Sequence, residues 1–344
     1  MKAIKYLLAL VAVGGLMTAC DTDIETKEIQ KPYTYSPLYY QNLRDYKASD
    51  HSIAFMWFAQ YGAQNSMAVR FAGLPDSLDI CSLWGGIPAK ENTQLWEELR
   101  FVQKTKGTKM LVVAITRIDA ETDDKDFKKV YNEAKAMPHT TEAETEARNA
   151  AINHAIELYA EYFLDQVFLN DLDGFDADYE PEGDFLSGNY FLHFMKHLAK
   201  YMGPLPADSA TAEQDRLALI KARYGDRIAY DENITRKLLC VDSPGCGPTS
   251  CIDICNYTFN QAYGGGTSNG GWPWEKVVLC ENVGDNWQGT LSGMYNQARF
   301  QPAVGRKGGF GAFFGHRDYN IHTNSLEPYY RFRECIQIQN PAIY

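Results

Sequence analysis

The chain has 344 residues, 45% hydrophobic and 13% aromatic, enough apolar material for one large core or two small ones. Its 44 acidic against 33 basic side chains give a net charge of -11. A surface of that sign excludes a nucleic-acid partner held through its phosphates.

Residues 1–20 open with Lys2 and Lys5, run apolar from Tyr6 to Val13, and end in small residues before Cys20. The apolar run is too short to span a bilayer and has the layout of a secretion signal. Met17-Thr18-Ala19-Cys20 resembles a bacterial lipobox, which implies removal of residues 1–19 and lipidation of Cys20 as the new N-terminus. An ordinary signal peptide cut near Ala19 is the alternative. Removal takes two lysines and leaves -13. Asp21 and Asp23 resemble the acidic export signals of Bacteroidetes surface lipoproteins. The expectation is an exported outer-membrane lipoprotein at the cell surface or in the periplasm, a monomer held to the membrane by its lipid. Residues 20–50 read as a tether, leaving residues 51–344 as the folded domain.

From residue 50 onward, apolar β-rich runs alternate with helical patterns. The predicted strands are 52–59, 77–84, 109–116, 172–180, 236–242, 251–259, 275–282 and 308–315. Most are nearly continuous apolar runs, as parallel strands covered on both faces require. Between them "TQLWEELRFVQK" has helical periodicity. A longer helix follows the capping-box spacing of Thr141 and Glu144. Eight strands with helical crossovers predict an α/β fold, a (β/α)8 barrel. Two crossovers, "SPGCGPTS" and "GGGTSNGGWPW", are too short or too rich in Gly and Pro to hold a helix. The barrel is therefore expected to be incomplete, with its fifth and sixth helices reduced or missing.

Seven cysteines follow Cys20. Those inside apolar runs read as buried free thiols, while Cys246 and Cys251 flank a Pro/Gly loop and are candidates for a disulfide. The spacing from Cys240 to Cys255 lacks paired CxxC, and His193 with His197 has no third ligand in view. No metal and no organic cofactor is expected.

The densest chemistry is "LNDLDGFDADYEPEG" at 169–183. On a strand, Asp176, Asp178 and Glu180 share one face, and Phe175, Ala177 and Tyr179 the other. Neighbouring carboxylates on that face lie roughly 6.6 Å apart. At an effective dielectric of about 20, each ionised pair costs roughly 2.5 kcal/mol. Such a row makes a poor structural device, but by sharing protons it can keep a glutamic acid protonated near neutrality.

Asp173-Gly174-Phe175-Asp176-Ala177-Asp178-Tyr179-Glu180 resembles the DGxDxDxE signature of glycoside hydrolase family 18, on the strand where that family carries it. The resemblance implies that Glu180 is the acid that protonates the leaving oxygen and that Asp178 orients the substrate acetamide. It implies further that Asp176 supports Asp178 through a shared proton. Asp173 is counted with the substrate-binding residues. Gln261-Ala262-Tyr263 resembles the Gln-x-Tyr pair of the family's endo-β-N-acetylglucosaminidases. "VVAITRID" departs from the family's Ser-x-Gly-Gly run and puts the pocket floor near Thr116 in doubt. Trp84, Trp272, Trp274 and Trp287 are candidates to stack on sugar faces, the two in the Gly-rich loop above all. The expectation is an enzyme acting on N-glycans or glycoproteins. Its rivals are a chitinase-like hydrolase and a binding module without chemistry.

Overall fold

The computed structural model describes residues 34–342 except 63–65, 120, 123–124, 181–185, 206–208, 229–233 and 320–326. Residues 1–33, with the expected signal and lipidated Cys20, lie outside the described residues. The compact unit described here begins at Ser36.

Eight parallel strands close a barrel: β1 (Ile53–Phe58), β2 (Ile80–Leu83), β3 (Lys109–Ile115), β4 (Gly174–Asp178), β5 (Leu238–Ser243), β6 (Tyr257–Asn260), β7 (Val277–Asn282) and β8 (Gly309–Phe313). Each pairs with its sequence neighbours, and β8 returns to β1. The alternation of side chains separates two cores. Ile53, Phe55 and Trp57 of β1 point into the barrel with Leu111, Cys240, Phe259 and Val278. Ala54, Met56 and Phe58 point outward into the layer under the helices. Phe55 and Phe259 stack across the lumen with centroids 3.7 Å apart, so the barrel is a filled core rather than a pore.

Nine α-helices are present among the described residues. Pro37–Ala48 (α1) lies ahead of β1, and Thr93–Arg100 (α2) joins β2 to β3, its last turn widening into a π-helical segment at Phe101–Lys106. Phe127–Lys135 (α3) and the 28-residue Glu142–Leu169 (α4) lie between β3 and β4, and Gly188–Ala199 (α5) and Ser209–Tyr224 (α6) between β4 and β5. Val283–Asn286 (α7) and Ser292–Arg299 (α8) join β7 to β8, and Tyr330–Gln339 (α9) closes the chain. The capping box forms as the sequence predicts: Glu144 N donates to Thr141 Oγ1 and Thr141 N to the Glu144 carboxylate. Phe163 of α4 then packs on the outward Phe175 of β4, centroids 4.7 Å apart.

The fifth and sixth helices are missing. Between β5 and β6 stands one 3-10 turn, Thr249–Cys251, and between β6 and β7 another, Trp274–Lys276. Among its described residues the first crossover also lacks an α-helix, carrying 3-10 turns at Met67–Val69 and Phe71–Gly73.

Three expectations are corrected. The tether does not extend to residue 50, because α1 is seated on the barrel: Tyr40 is buried, and Lys47 Nζ donates to Leu78 O at 2.6 Å and Thr108 Oγ1 at 2.8 Å. The run 251–259 is strand only from Tyr257; Cys251 to Cys255 form a turn ahead of it in which the two cysteines are buried and Asp253 is exposed. Cys246 and Cys251 are both free. The Cys246 thiol faces Ser268 O, whereas Cys251 is turned to Cys255.

Candidate active site

The inward face of β4 ends in Asp176 and Asp178, 0% and 1% exposed, and two residues further Glu180 stands half-buried at the rim. The chain reaches this geometry because the outward residues have apolar partners, Phe175 on Phe163 and Tyr179 on Phe191. Asp176 Oδ2 accepts from Trp57 Nε1 at 3.1 Å and from Ser82 Oγ at 2.7 Å. The end of the strand is fixed from β3, where Thr116 donates from its backbone N (2.9 Å) and its hydroxyl (3.0 Å) to Asp178 O. The segment that departs from the family run thus anchors the acid-bearing strand β4.

A third carboxyl joins these two, and the sequence did not reveal it. Asp242, fully buried, sits on β5 in register with Asp178. Its carboxyl lies within hydrogen-bonding reach of those of Asp178 and Asp176. On its far side Gln261 Nε2 donates to Asp242 Oδ1 at 2.7 Å. Burial pushes all three acids above the usual carboxylate range. Mutual repulsion raises Asp176 and Asp242 further. Three contacting carboxyls in a dry site cannot all be ionised at neutral pH, so the cluster holds protons.

Tyr263 lies two residues beyond Gln261 with its ring 6.2 Å from Phe313 at the end of β8. Burial of its hydroxyl, with the charges of Cys280 and of the nearby acids, raises its pKa, although the residue as a whole is 39% exposed. The amide of the next residue, Gly264, is held by the buried Glu281 carboxylate at 3.0 Å.

The remaining candidates divide. Half-buried Trp84 follows β2 and meets Phe313 edge-on at 5.4 Å, beside the acid-bearing end of the barrel. Trp287, half-buried, follows α7 beyond β7, its carbonyl accepting from Arg331. The Gly-rich loop does not lift its tryptophans above the mouth, because it descends to the start of β7. Trp272 is 1% exposed, donating Nε1 to Gly247 O at 2.7 Å. Trp274 packs on Phe300, and its carbonyl accepts from Gly308 just before β8. Asp173 is likewise at the wrong end: it precedes Gly174, roughly 16 Å along the strand from Asp178. There its carboxylate accepts from Met110 N at 2.9 Å and Gln103 Nε2 at 2.7 Å, tying strand starts together.

A family model described as glycoside hydrolase family 18, BT1044-like, matches residues 20–272. The sequence is 25% identical over 353 residues to endo-beta-N-acetylglucosaminidase F2 of Elizabethkingia meningoseptica, covering 90% of this chain and 88% of that one. Among solved structures, a BT1044 selenomethionine variant superposes with a TM-score of 0.60 at 19% identity, over 89% of this chain and 93% of the other. A mutant endo-beta-N-acetylglucosaminidase from Cordyceps militaris, in complex with fucosyl-N-acetylglucosamine-Asn, gives 0.57 at 20% identity over 90% and 98%.

Proposed function

Because the chain belongs to glycoside hydrolase family 18, we propose that this glycoside hydrolase is an endo-β-N-acetylglucosaminidase. It cuts the β-1,4 bond of the N,N'-diacetylchitobiose core of N-glycans and leaves one N-acetylglucosamine on the protein. The observation that carries the reading is the pairing of the buried acid cluster with Gln261 and Tyr263 at its edge and Glu180 at the rim. The similarity to endo-beta-N-acetylglucosaminidase F2 adds to it.

The reaction follows the substrate-assisted variant of retaining hydrolysis. Glu180 in its acid form gives its proton to the glycosidic oxygen as the C–O bond to the anomeric carbon breaks. The acetamide carbonyl oxygen of the same sugar attacks that carbon and forms an oxazolinium ring. Asp178 accepts the acetamide N–H and stabilises the cation, and Tyr263 donates to the acetamide oxygen. The Glu180 carboxylate then takes a proton from water, whose oxygen opens the ring. A buried, low-dielectric wall makes the Asp178 charge effective. Trp84 and Trp287 are the tryptophans placed for stacking on the glycan.

The test is mass spectrometry of an N-glycosylated protein incubated with wild type and with Glu180→Gln. Release that leaves one N-acetylglucosamine, reduced at least about 10³-fold in the variant, is expected. Undiminished release by the variant removes Glu180 from the acid role. Cleavage of chitin oligomers but not of the glycoprotein favours a chitinase-like activity.

We propose further that lipid on Cys20 holds the enzyme, as a monomer, at the outer membrane. Cells fed an alkyne fatty acid should label the wild-type protein and not Cys20→Ala; equal labelling of the two rejects the anchor.

A further inference from the structure

We propose that Asp242 is the positioning residue that carries the exchangeable proton of the active site, leaving Asp178 as the anion that meets the acetamide. The proposal deepens the reading above and rests on it.

The hydrogen-bond directions identify where the proton stands. Two donors, Trp57 Nε1 and Ser82 Oγ, converge on Asp176 Oδ2, which marks that oxygen as an acceptor. Gln261 marks Asp242 Oδ1 in the same way at 2.7 Å. Asp176 Oδ1, Asp242 Oδ2 and both Asp178 oxygens are buried and receive no N–H or O–H from any described group outside the three acids. Acceptors in contact with each other and with no outside donor are stable only where a carboxyl proton lies between them. Asp242 is the carboxyl within hydrogen-bonding reach of both others, and Oδ2 is its free oxygen, so the proton belongs on Asp242 Oδ2.

Other charges facing the pair fit this placement. Glu180 and Arg117 both act on Asp178, Glu180 raising it and Arg117 favouring its anion. Around Asp242 stand Cys240 below it on β5, Cys280 on β7, and Tyr263 beyond β6. All three are held in their neutral forms by burial, so none supplies a positive charge that would favour an Asp242 anion. When substrate binds, the Asp242 O–H donates to one Asp178 oxygen and the acetamide N–H to the other. As the oxazolinium forms, the proton stays on Asp242, and none enters or leaves the cluster. Gln261, committed through Nε2 to Asp242, keeps the Asp242 ring of contacts in place.

The experiment combines the pH profile of glycan release with infrared difference spectra of the protonated carboxyl band, for wild type, Asp242→Asn and Gln261→Leu. Asp242→Asn replaces a protonated, neutral carboxyl by a neutral amide and keeps a donor toward Asp178. The acid limb of kcat should therefore stay within about half a unit of wild type, KM should change less than about twofold, and the infrared band should weaken. Gln261→Leu takes a donor from Asp242, so the limb should move up. The second variant also decides the matter if Asp242→Asn does not fold. Profiles and bands unchanged from wild type in both variants overturn the assignment. If wild type releases no glycan, the reaction reading fails, while the infrared spectra still show which acid holds the proton.

Discussion

His316 is the residue on which acid should act first. It is 4% exposed, packed near Phe58 and Phe314, and neither ring nitrogen has a described partner. Burial, reinforced by Arg317, depresses its pKa to about 4. Between that value and the ordinary 6.5 the unfolded chain binds more protons than the folded one, so stability falls as pH drops through this window. The loss amounts to about 2.5 kcal/mol by pH 4.5. The acid cluster has the opposite sign: its raised carboxyls hold protons in the folded state, so their contribution improves as pH falls from neutral. The two must be separated by a difference. Urea unfolding of wild type and His316→Leu at pH 7 and pH 4.5 should show the variant losing about 2.5 kcal/mol less; equal losses would show that His316 is not charged on unfolding. The same contrast explains what could be read at this scale. Asp176, Asp178 and Glu180 were legible because alternation puts them on one face of one strand. Asp242 ends an apolar run, and only the register of β5 against β4 makes it a neighbour of Asp178. Asp173 misled because its place in the signature says nothing of which end of the strand it occupies.

At the scale of elements, crossover length was the readable quantity. The Gly and Pro of "SPGCGPTS" told against a helix, and although the connection, residues 244–256, is longer than the sequence suggested, it holds only a 3-10 turn and no α-helix. The first crossover hid the same outcome, since residues 59–79 are long enough for a helix. Gly62, Gly73 and Pro75 break that stretch into 3-10 turns instead. The start of β6 was misplaced for a related reason: a short apolar run fits a strand and a buried turn equally, and burial alone does not choose. Gly174 shows how tightly the acid-bearing strand is placed. A Cβ there would stand 2.2 Å from Leu238 O, so the glycine of the signature provides room for β5. That close approach at the strand start is what keeps Asp178 and Asp242 side by side at its end.

For the whole molecule, the question is what covers the side of the barrel that has no helices. Trp272 does part of this, buried under the β5–β6 connection and bonded to Gly247 O. Gly247 N in turn donates to Thr258 Oγ1 of β6, and Val241 of β5 lies against it. Lys276 closes the same region by donating to Ile252 O at 2.6 Å and Cys255 O at 2.9 Å. A loop that substitutes for a helix in this way must supply the apolar area the helix would have supplied, and a buried indole is the largest single contribution available. Trp272→Ala should therefore cost about 3–5 kcal/mol through the lost burial and the cavity left behind. In a chain of this size that lowers Tm by roughly 10 °C. Because the site lies at the other end of the loop, kcat and KM for glycan release at 20 °C should stay within about twofold of wild type. A stacking platform would give the reverse pattern, with KM raised severalfold and Tm unchanged. Calorimetry and steady-state kinetics on this one variant thus separate a tryptophan that closes an incomplete barrel from one that holds sugar, and the buried indole predicts the first.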